Sequence, residues 1–236
     1  MVLKIKTKVI SGFLKKFKMN GTQSITETVL KFEKDGLHAA ANSGSKQSRV
    51  NAWLKKEGFI EYDEIGNIGV NDIPTIINVL DRFNEIISIT KEGNLLTIKG
   101  EGKKVDIELV AEDFLSTDTA DPVLEFKETF EITSTKLKDI FTDVKLNKNA
   151  VIKIETDVKK VKISNTGKYK FVNEIEALTC TGGIKVSFGE PLIDATSNLD
   201  GNLELSIAEN YPLKVIEKTE TSVVTLIIAP RVAEEE

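Results

Sequence analysis

Lysine is the side chain whose placement in this sequence points most directly to chemistry. Lys8, Lys15 and Lys16 share one face of residues 8–20, with Lys18 at its flank and no acidic residue in the segment. Lys136, Lys138 and Lys145 recur over residues 135–147, where Asp139 and Asp143 dilute the charge. Opposite the lysines, Ile10, Phe13, Leu14 and Phe17 return as Leu137, Ile140, Phe141 and Val144, each displaced by 127 positions. That i, i+3, i+4, i+7 spacing predicts two helices, each with one buried stripe and one wet face. The whole chain is acidic, with 37 Asp+Glu against 32 Lys+Arg. Uncompensated lysines on a repeated amphipathic helix in such a chain fit a surface that meets a polyanion.

Other reactive side chains point away from catalysis. His38 is the only histidine, so no histidine cluster exists for metal or acid–base work. Cys180 is the only cysteine. It rules out an intramolecular disulfide and reads as a small buried side chain. Trp53 reads as core or rim packing. Gly182-Gly183 and residues 100–102 fit hairpin turns, and neither precedes the Lys-Ser/Thr of a phosphate-binding loop. No enzyme, no cofactor and no metal are expected.

The elements that must carry the lysines are mostly β. Residues 24–33, 85–90, 95–99, 105–110, 150–156, 161–164 and 223–228 alternate and are rich in Val, Ile, Thr and Phe. Many lie beside turn signals such as Asp35-Gly36 and Asn165-Thr166-Gly167, which are too short to join parallel strands. Two more helices are expected. One covers residues 72–83, with Asp72 as cap, Pro74 in the first turn and Arg82 on its wet face; the other covers 190–199 and carries no basic residue. Each half reads strand, helix, strands, helix, strands, the mark of an internal duplication. The boundaries expected are 1–112 for the first domain, 113–126 for a polar connecting loop, and 127–236 for the second domain with its acidic tail. With 40% hydrophobic and 29% charged residues, the composition is that of a globular chain, expected to be soluble and intracellular. No apolar run is long enough for a membrane span.

Short segments then carry a family resemblance. Gly36-Leu37-His38, Phe59-Ile60-Glu61-Tyr62, Ile68-Gly69-Val70-Asn71, Asn210-Tyr211-Pro212-Leu213-Lys214 and Ile228-Ala229-Pro230-Arg231-Val232 occur in that order, with Glu234, Glu235 and Glu236 at the end. Together they resemble the archaeal sliding clamps of the PCNA family over essentially the whole chain. The resemblance implies an α+β DNA-clamp fold: two similar domains, each with two helices packed on antiparallel sheets, forming part of a closed ring. It implies a processivity factor that encircles double-stranded DNA without reading its sequence. DNA polymerase, the clamp loader and other proteins with clamp-binding motifs would be its partners. Self-association as a homotrimer is implied, with a heterotrimer left open, and no membrane partner. A contact that slides must address phosphates, which carry no sequence information.

Carried onto this sequence, the resemblance places DNA near Lys15, Lys16, Lys18, Arg82, Lys136, Lys138 and Lys145. Charge reversal at Lys15 and Lys16 is expected to weaken processivity without unfolding the chain. Partner peptides would enter a groove formed by Ala41, Asn42, Lys46, Leu115, Pro122, Val123, Leu124, Ala229, Pro230 and Arg231. Asn42 stands where the family often has methionine, and the fourth helix lacks the basic residues common in the family. Two readings stand beside this one: a clamp-fold scaffold that does not encircle DNA, favoured by that fourth helix, and an enzyme with an unrecognised carboxylate site.

Overall fold

The computed structural model describes residues 1–115 and 122–231. The middle of the expected connector and the acidic tail lie outside them. The first half runs β1 (Leu3–Lys6), α1 (Thr7–Lys15), β2 (Thr28–Glu33), β3 (Gly36–Asn42), β4 (Ser48–Lys55), β5 (Ile68–Val70), α2 (Ile73–Leu80), β6 (Ile86–Glu92), β7 (Leu95–Gly100) and β8 (Lys103–Glu108). The second half repeats that order as β9 (Glu128–Thr133), α3 (Ser134–Val144), β10 (Ile152–Asp157), β11 (Lys160–Asn165), β12 (Val172–Glu176), β13 (Lys185–Phe188), α4 (Glu190–Thr196), β14 (Asn202–Ile207), β15 (Leu213–Lys218) and β16 (Ser222–Ile228). The fold is α+β, and every strand pair within its sheets is antiparallel.

Three sheets result. The first half forms β1-β6-β7-β8 and the second forms β12-β11-β10-β13, each with four strands. The remaining strands join into one eight-stranded sheet, β5-β2-β3-β4-β16-β15-β14-β9. Its seam is the β4–β16 pair, with Val50 opposite Leu226 and Leu54 opposite Ser222. The halves therefore share a continuous ladder. Edges of the two smaller sheets are left at β8 and β12, which pair with no further strand among the described residues.

The repeated apolar stripe packs as its spacing predicts. Ile10, Phe13, Leu14 and Phe17, and equally Leu137, Ile140, Phe141 and Val144, are all at most 4% exposed. Asp72 caps α2 by accepting from the Thr75 amide at 2.9 Å, and Pro74 occupies the first turn. All four helices end earlier than their apolar periodicity predicts. In α1 the helix stops at Lys15, yet Phe17 and Met19 stay buried because the chain folds back and the Ile25 amide donates to the Phe17 carbonyl. Burial continues past the last helical hydrogen bond, so a periodicity of buried residues overruns the helix.

Gly69 marks where the first half meets the connector. Its β5 backbone faces Val110, and a methyl group built on it would lie 2.2 Å from the Val110 carbonyl oxygen and 3.0 Å from a Leu115 methyl. Gly69→Ala is expected to cost about 1–3 kcal/mol, since backbone rather than a flexible side chain must give way. The control is Gly12→Ala in mid-α1, where nothing lies within 4 Å. Removing a helical glycine there is expected to raise the urea midpoint while Gly69→Ala lowers it.

Candidate nucleic-acid interface and docking groove

The lysine-bearing faces differ sharply in how far their charges are already engaged. Lys8 and Lys18 are exposed, as are Arg82, Lys136 and Lys145. None of these five forms an ion pair among the described residues. Lys18 and Arg82 stand just past the ends of α1 and α2, and Lys145 caps the end of α3. Lys15 is half-buried and bridges to Asp81 at 3.1 Å. The Ser11 hydroxyl donates to the same carboxylate at 2.7 Å and, with Lys15, holds it below the usual carboxylate range. Lys138 reaches Asp200 at 3.3 Å.

Lys16 is a different case. Its ammonium donates to the Asn198 carbonyl at 2.7 Å and to Glu217 Oε2 at 2.9 Å, and lies 3.4 Å from Asp200 Oδ2. Its side chain is 11% exposed and that of Glu217 only 3%. The Asn198 side-chain amide donates in return to the carbonyls of Lys15 and Lys18, satisfying acceptors at the end of α1. Lys16 thus ties the first half to the loop after α4 and to β15. The wet face of α1 is partly a junction.

Between α3 and α4 two adjacent hollows of about 250 and 200 Å³ share Lys145 and Ile193. Lys148, Glu190 and Asn147 border the first; Lys138, Thr142 and Ser197 border the second. Lys148 lies beyond α3 and so escapes any reading of helical faces. Only its place beside Lys145 in the fold reveals it. No basic residue stands on α4, as its sequence requires. Burial, reinforced by Glu190, pushes the Asp194 carboxyl up, and Lys145 only partly opposes this. Of the four helices, α4 presents the least positive surface.

The groove residues separate into two groups. Asn42, Lys46, Pro122 and Ala229 line one hollow of about 300 Å³, joined by Arg49, Pro212 and Ile227. The Ala229 amide donates to the Gln47 carbonyl at 2.8 Å, which brings the last described residues against the β3–β4 turn. Pro230 is half-buried, and the exposed Arg231 donates its amide to the Ser187 carbonyl at 2.8 Å. Ala41 instead faces the core at 2% exposure, and Leu115 packs at Gly69. Val123 is 95% exposed and Phe114 81%, so neither is a core residue; Leu124 is half-buried. Phe126 anchors the far end of the connector edge-on to Tyr211, with Lys214 4.8 Å from its ring centre. Arg49 joins the groove without any local signal in the sequence. It occupies an outward-alternating position on β4 yet is 8% exposed, and its guanidinium donates to the Asn42 side-chain carbonyl at 3.4 Å.

A buried acid holds the second half's sheets together. Glu128, 4% exposed at the start of β9, accepts from the Thr181 amide, the Thr181 hydroxyl and the Gly182 amide. Burial alone would raise its carboxyl, but these donors outweigh it and hold the group below the usual glutamate value. A lowered native value means that Glu128 stabilises the fold above the unfolded pKa of about 4.3 and loses that contribution as pH falls. Glu128→Gln is therefore expected to lower the melting temperature at pH 7 and to flatten its decline on acidification. Melting curves across pH 3–7 measure both. Nearby Cys180 is buried, and desolvation followed by the charge of Glu128 pushes its thiol up to about 11. It behaves as the inert core thiol that its sequence setting implies.

No protein-family model matches the chain, and no curated protein matches it either. Solved structures do. The structure of the C-terminal region of FEN-1 bound to A. fulgidus PCNA matches with a TM-score of 0.86 and 16% identity, over 99% of each chain. PCNA from Entamoeba histolytica matches at 0.82 and 17%, over 98% of each chain. The PCNA2–PCNA3 complex from Sulfolobus tokodaii matches at 0.81 and 18%, covering 98% of this chain and 99% of the other. At this identity the likeness carries architecture over the full length, and the chain has the PCNA clamp fold.

Proposed function

We propose that this chain is a PCNA-family sliding clamp, with domains at 1–112 and 127–236, that closes into a ring around duplex DNA and tethers replication and repair proteins. The observation that carries the reading is an unfinished symmetry. Within the chain β4 pairs with β16, and their counterparts in the duplicated order are β12 and β8. Those two edges pair with no further strand among the described residues. A β12 edge meeting the β8 edge of another copy repeats the internal seam, and a head-to-tail contact of this kind closes a ring or runs on as a filament. A ring made this way from one chain is a homo-oligomer, which we read as a homotrimer.

Inside that ring Lys18, Arg82, Lys136 and Lys145 offer cations to phosphate, with Lys15 and Lys138 adding charge shared with carboxylates. Exposed lysines fix no base register, which suits a contact that slides. The hollow at Asn42, Lys46, Arg49, Pro122 and Ala229 would take the clamp-binding segment of a polymerase or of another client. The structure of the C-terminal region of FEN-1 bound to A. fulgidus PCNA is a precedent on a similar fold. The chain supplies no catalytic chemistry of its own.

A second reading, a clamp-fold scaffold that leaves DNA alone, is favoured by the acidic α4 and by the carboxylates already paired with Lys15, Lys16 and Lys138. Light scattering of the purified chain tests ring closure. Primer extension on a singly primed circular template, with polymerase and clamp loader, separates the readings. Longer products are expected from the clamp. A closed ring that leaves product length unchanged and is not retained on nicked circular DNA would establish the scaffold instead.

A further inference from the structure

The turn between β2 and β3 gathers three potential metal ligands that sequence spacing does not announce. Strand alternation sends Phe32, Leu37 and Leu54 into the core, at most 5% exposed, so Glu33, His38 and Trp53 emerge on the opposite face. Asp35 projects from the turn beside them. One ligand atom from each of Glu33, Asp35 and His38 lies within 4.8 Å of the other two. In sequence, a lone histidine without a histidine partner gives no reason to expect a metal. The fold supplies two carboxylates in the partner's place.

The imidazole is held before any ligand arrives. It stacks on Trp53 with ring centres 5.6 Å apart and planes 10° from parallel, while Nε2 faces Asp35 Oδ1 at 2.9 Å. The turn itself is pinned from below. The Asp35 carbonyl accepts from the Lys56 amide at 3.0 Å and from Trp53 Nε1 at 3.3 Å. The Tyr62 hydroxyl lies 2.7 Å from the carbonyls of both Glu33 and Gly36. The backbone that carries the three donors is thus fixed by contacts that an ion would not disturb.

We propose that Glu33, Asp35 and His38 bind one divalent transition cation of the zinc class on the surface of the first half. One imidazole with two carboxylates selects such an ion over magnesium or calcium, which take all-oxygen shells. Three protein donors leave the remaining position to water. Lys31, opposite His38 in the ladder, and Lys56, whose charge acts on Asp35, limit the affinity. Binding replaces the His38–Asp35 hydrogen bond with two metal bonds and clips the turn, so the ion stabilises the folded chain. The site does not depend on the clamp reading.

Trp53 is the only tryptophan, which makes the site its own reporter. Titrating the full chain with Ni²⁺ should quench its fluorescence to saturation at one ion per chain. Zn²⁺ should reverse the quenching by competition, and a large excess of Mg²⁺ should not. His38→Gln and Glu33→Gln are each expected to weaken Ni²⁺ and Zn²⁺ binding at least about tenfold. In a chelator the melting temperature of Glu33→Gln should match that of the parent chain, since Glu33 is exposed, while His38→Gln also loses the Trp53 stack and should melt slightly lower. Zn²⁺ should raise the melting temperature of the parent chain only. Absence of saturable quenching, quenching that survives in both variants, or displacement by Mg²⁺ would overturn the site.

Discussion

Lys16→Glu is expected to unfold the junction between the halves, at a cost of about 3–5 kcal/mol. The wild-type ammonium lies between the Asn198 carbonyl and Glu217, with both side chains of the ion pair nearly out of water. Reversal sets a third carboxylate beside Glu217 and Asp200 and strands Glu217 without its cation. Uncompensated buried charge is penalised far more than a surface pair is rewarded. A few kcal/mol is a large share of the stability of any domain. Lys15→Glu should cost much less, because Lys15 and Asp81 are both nearly half exposed. A Lys16→Met, Glu217→Leu double variant should recover most of the loss, as apolar pairs often replace buried ion pairs without penalty. Urea midpoints of the four proteins measure this. Equal stability of the Lys15 and Lys16 reversals would remove Lys16 from the junction. The buried Lys16–Glu217 pair argues against the expectation that reversing both lysines leaves the fold intact, and the urea midpoints decide between the two; a Lys16 reversal is therefore a poor probe of DNA contact.

The contrast between Lys15 and Lys16 shows what the sequence could and could not reveal. Period and displacement suffice to find α1, α3 and their buried stripes, because core packing is local along a helix. Turn chemistry suffices for the hairpins, and Asp72 caps α2 as its spacing requires. A wet helical face, however, looks the same in sequence whether it meets solvent, phosphate or polar groups of another domain. Lys16 and Glu217 are 201 positions apart, so no local pattern marks their pairing. The same limit hid Lys148 beside Lys145 and Arg49 inside the groove. It also hid the carboxylates at His38, since hairpin geometry rather than a motif brings Glu33, Asp35 and His38 together. For the groove the resemblance names residues that no local pattern links: Asn42 at the end of β3, Lys46 in the turn after it, Pro122 in the connector and Ala229 beyond β16 line one hollow.

With Lys16 set aside, the DNA reading rests on side chains free to leave the protein surface. Reversing Lys18, Arg82, Lys136 and Lys145 together is expected to abolish stimulation of primer extension while leaving the ring and its melting temperature intact. All four are exposed and make no ion pair among the described residues, and only Lys145, beside Asp194, and Lys18, near Asp81, act on an acid at all, so their reversal should cost little stability. Each cation–phosphate pairing that disappears should lower the salt slope of DNA retention by up to about 0.9. The ring multiplies the change by its number of subunits. Net charge alone also disfavours DNA, and a matched control isolates that effect. Lys99, Lys153 and Lys162 on strands and Lys170 between β11 and β12 are exposed and make no ion pair among the described residues, and reversing them gives the same net charge away from the helices. Screening confines exposed charges to about 8 Å at physiological salt, so this second variant should stay active. If both variants fail equally, the acidic field of the whole chain decides DNA contact and the helices have no special part. If only the helix variant fails, the cations act locally, where the ring would enclose the duplex.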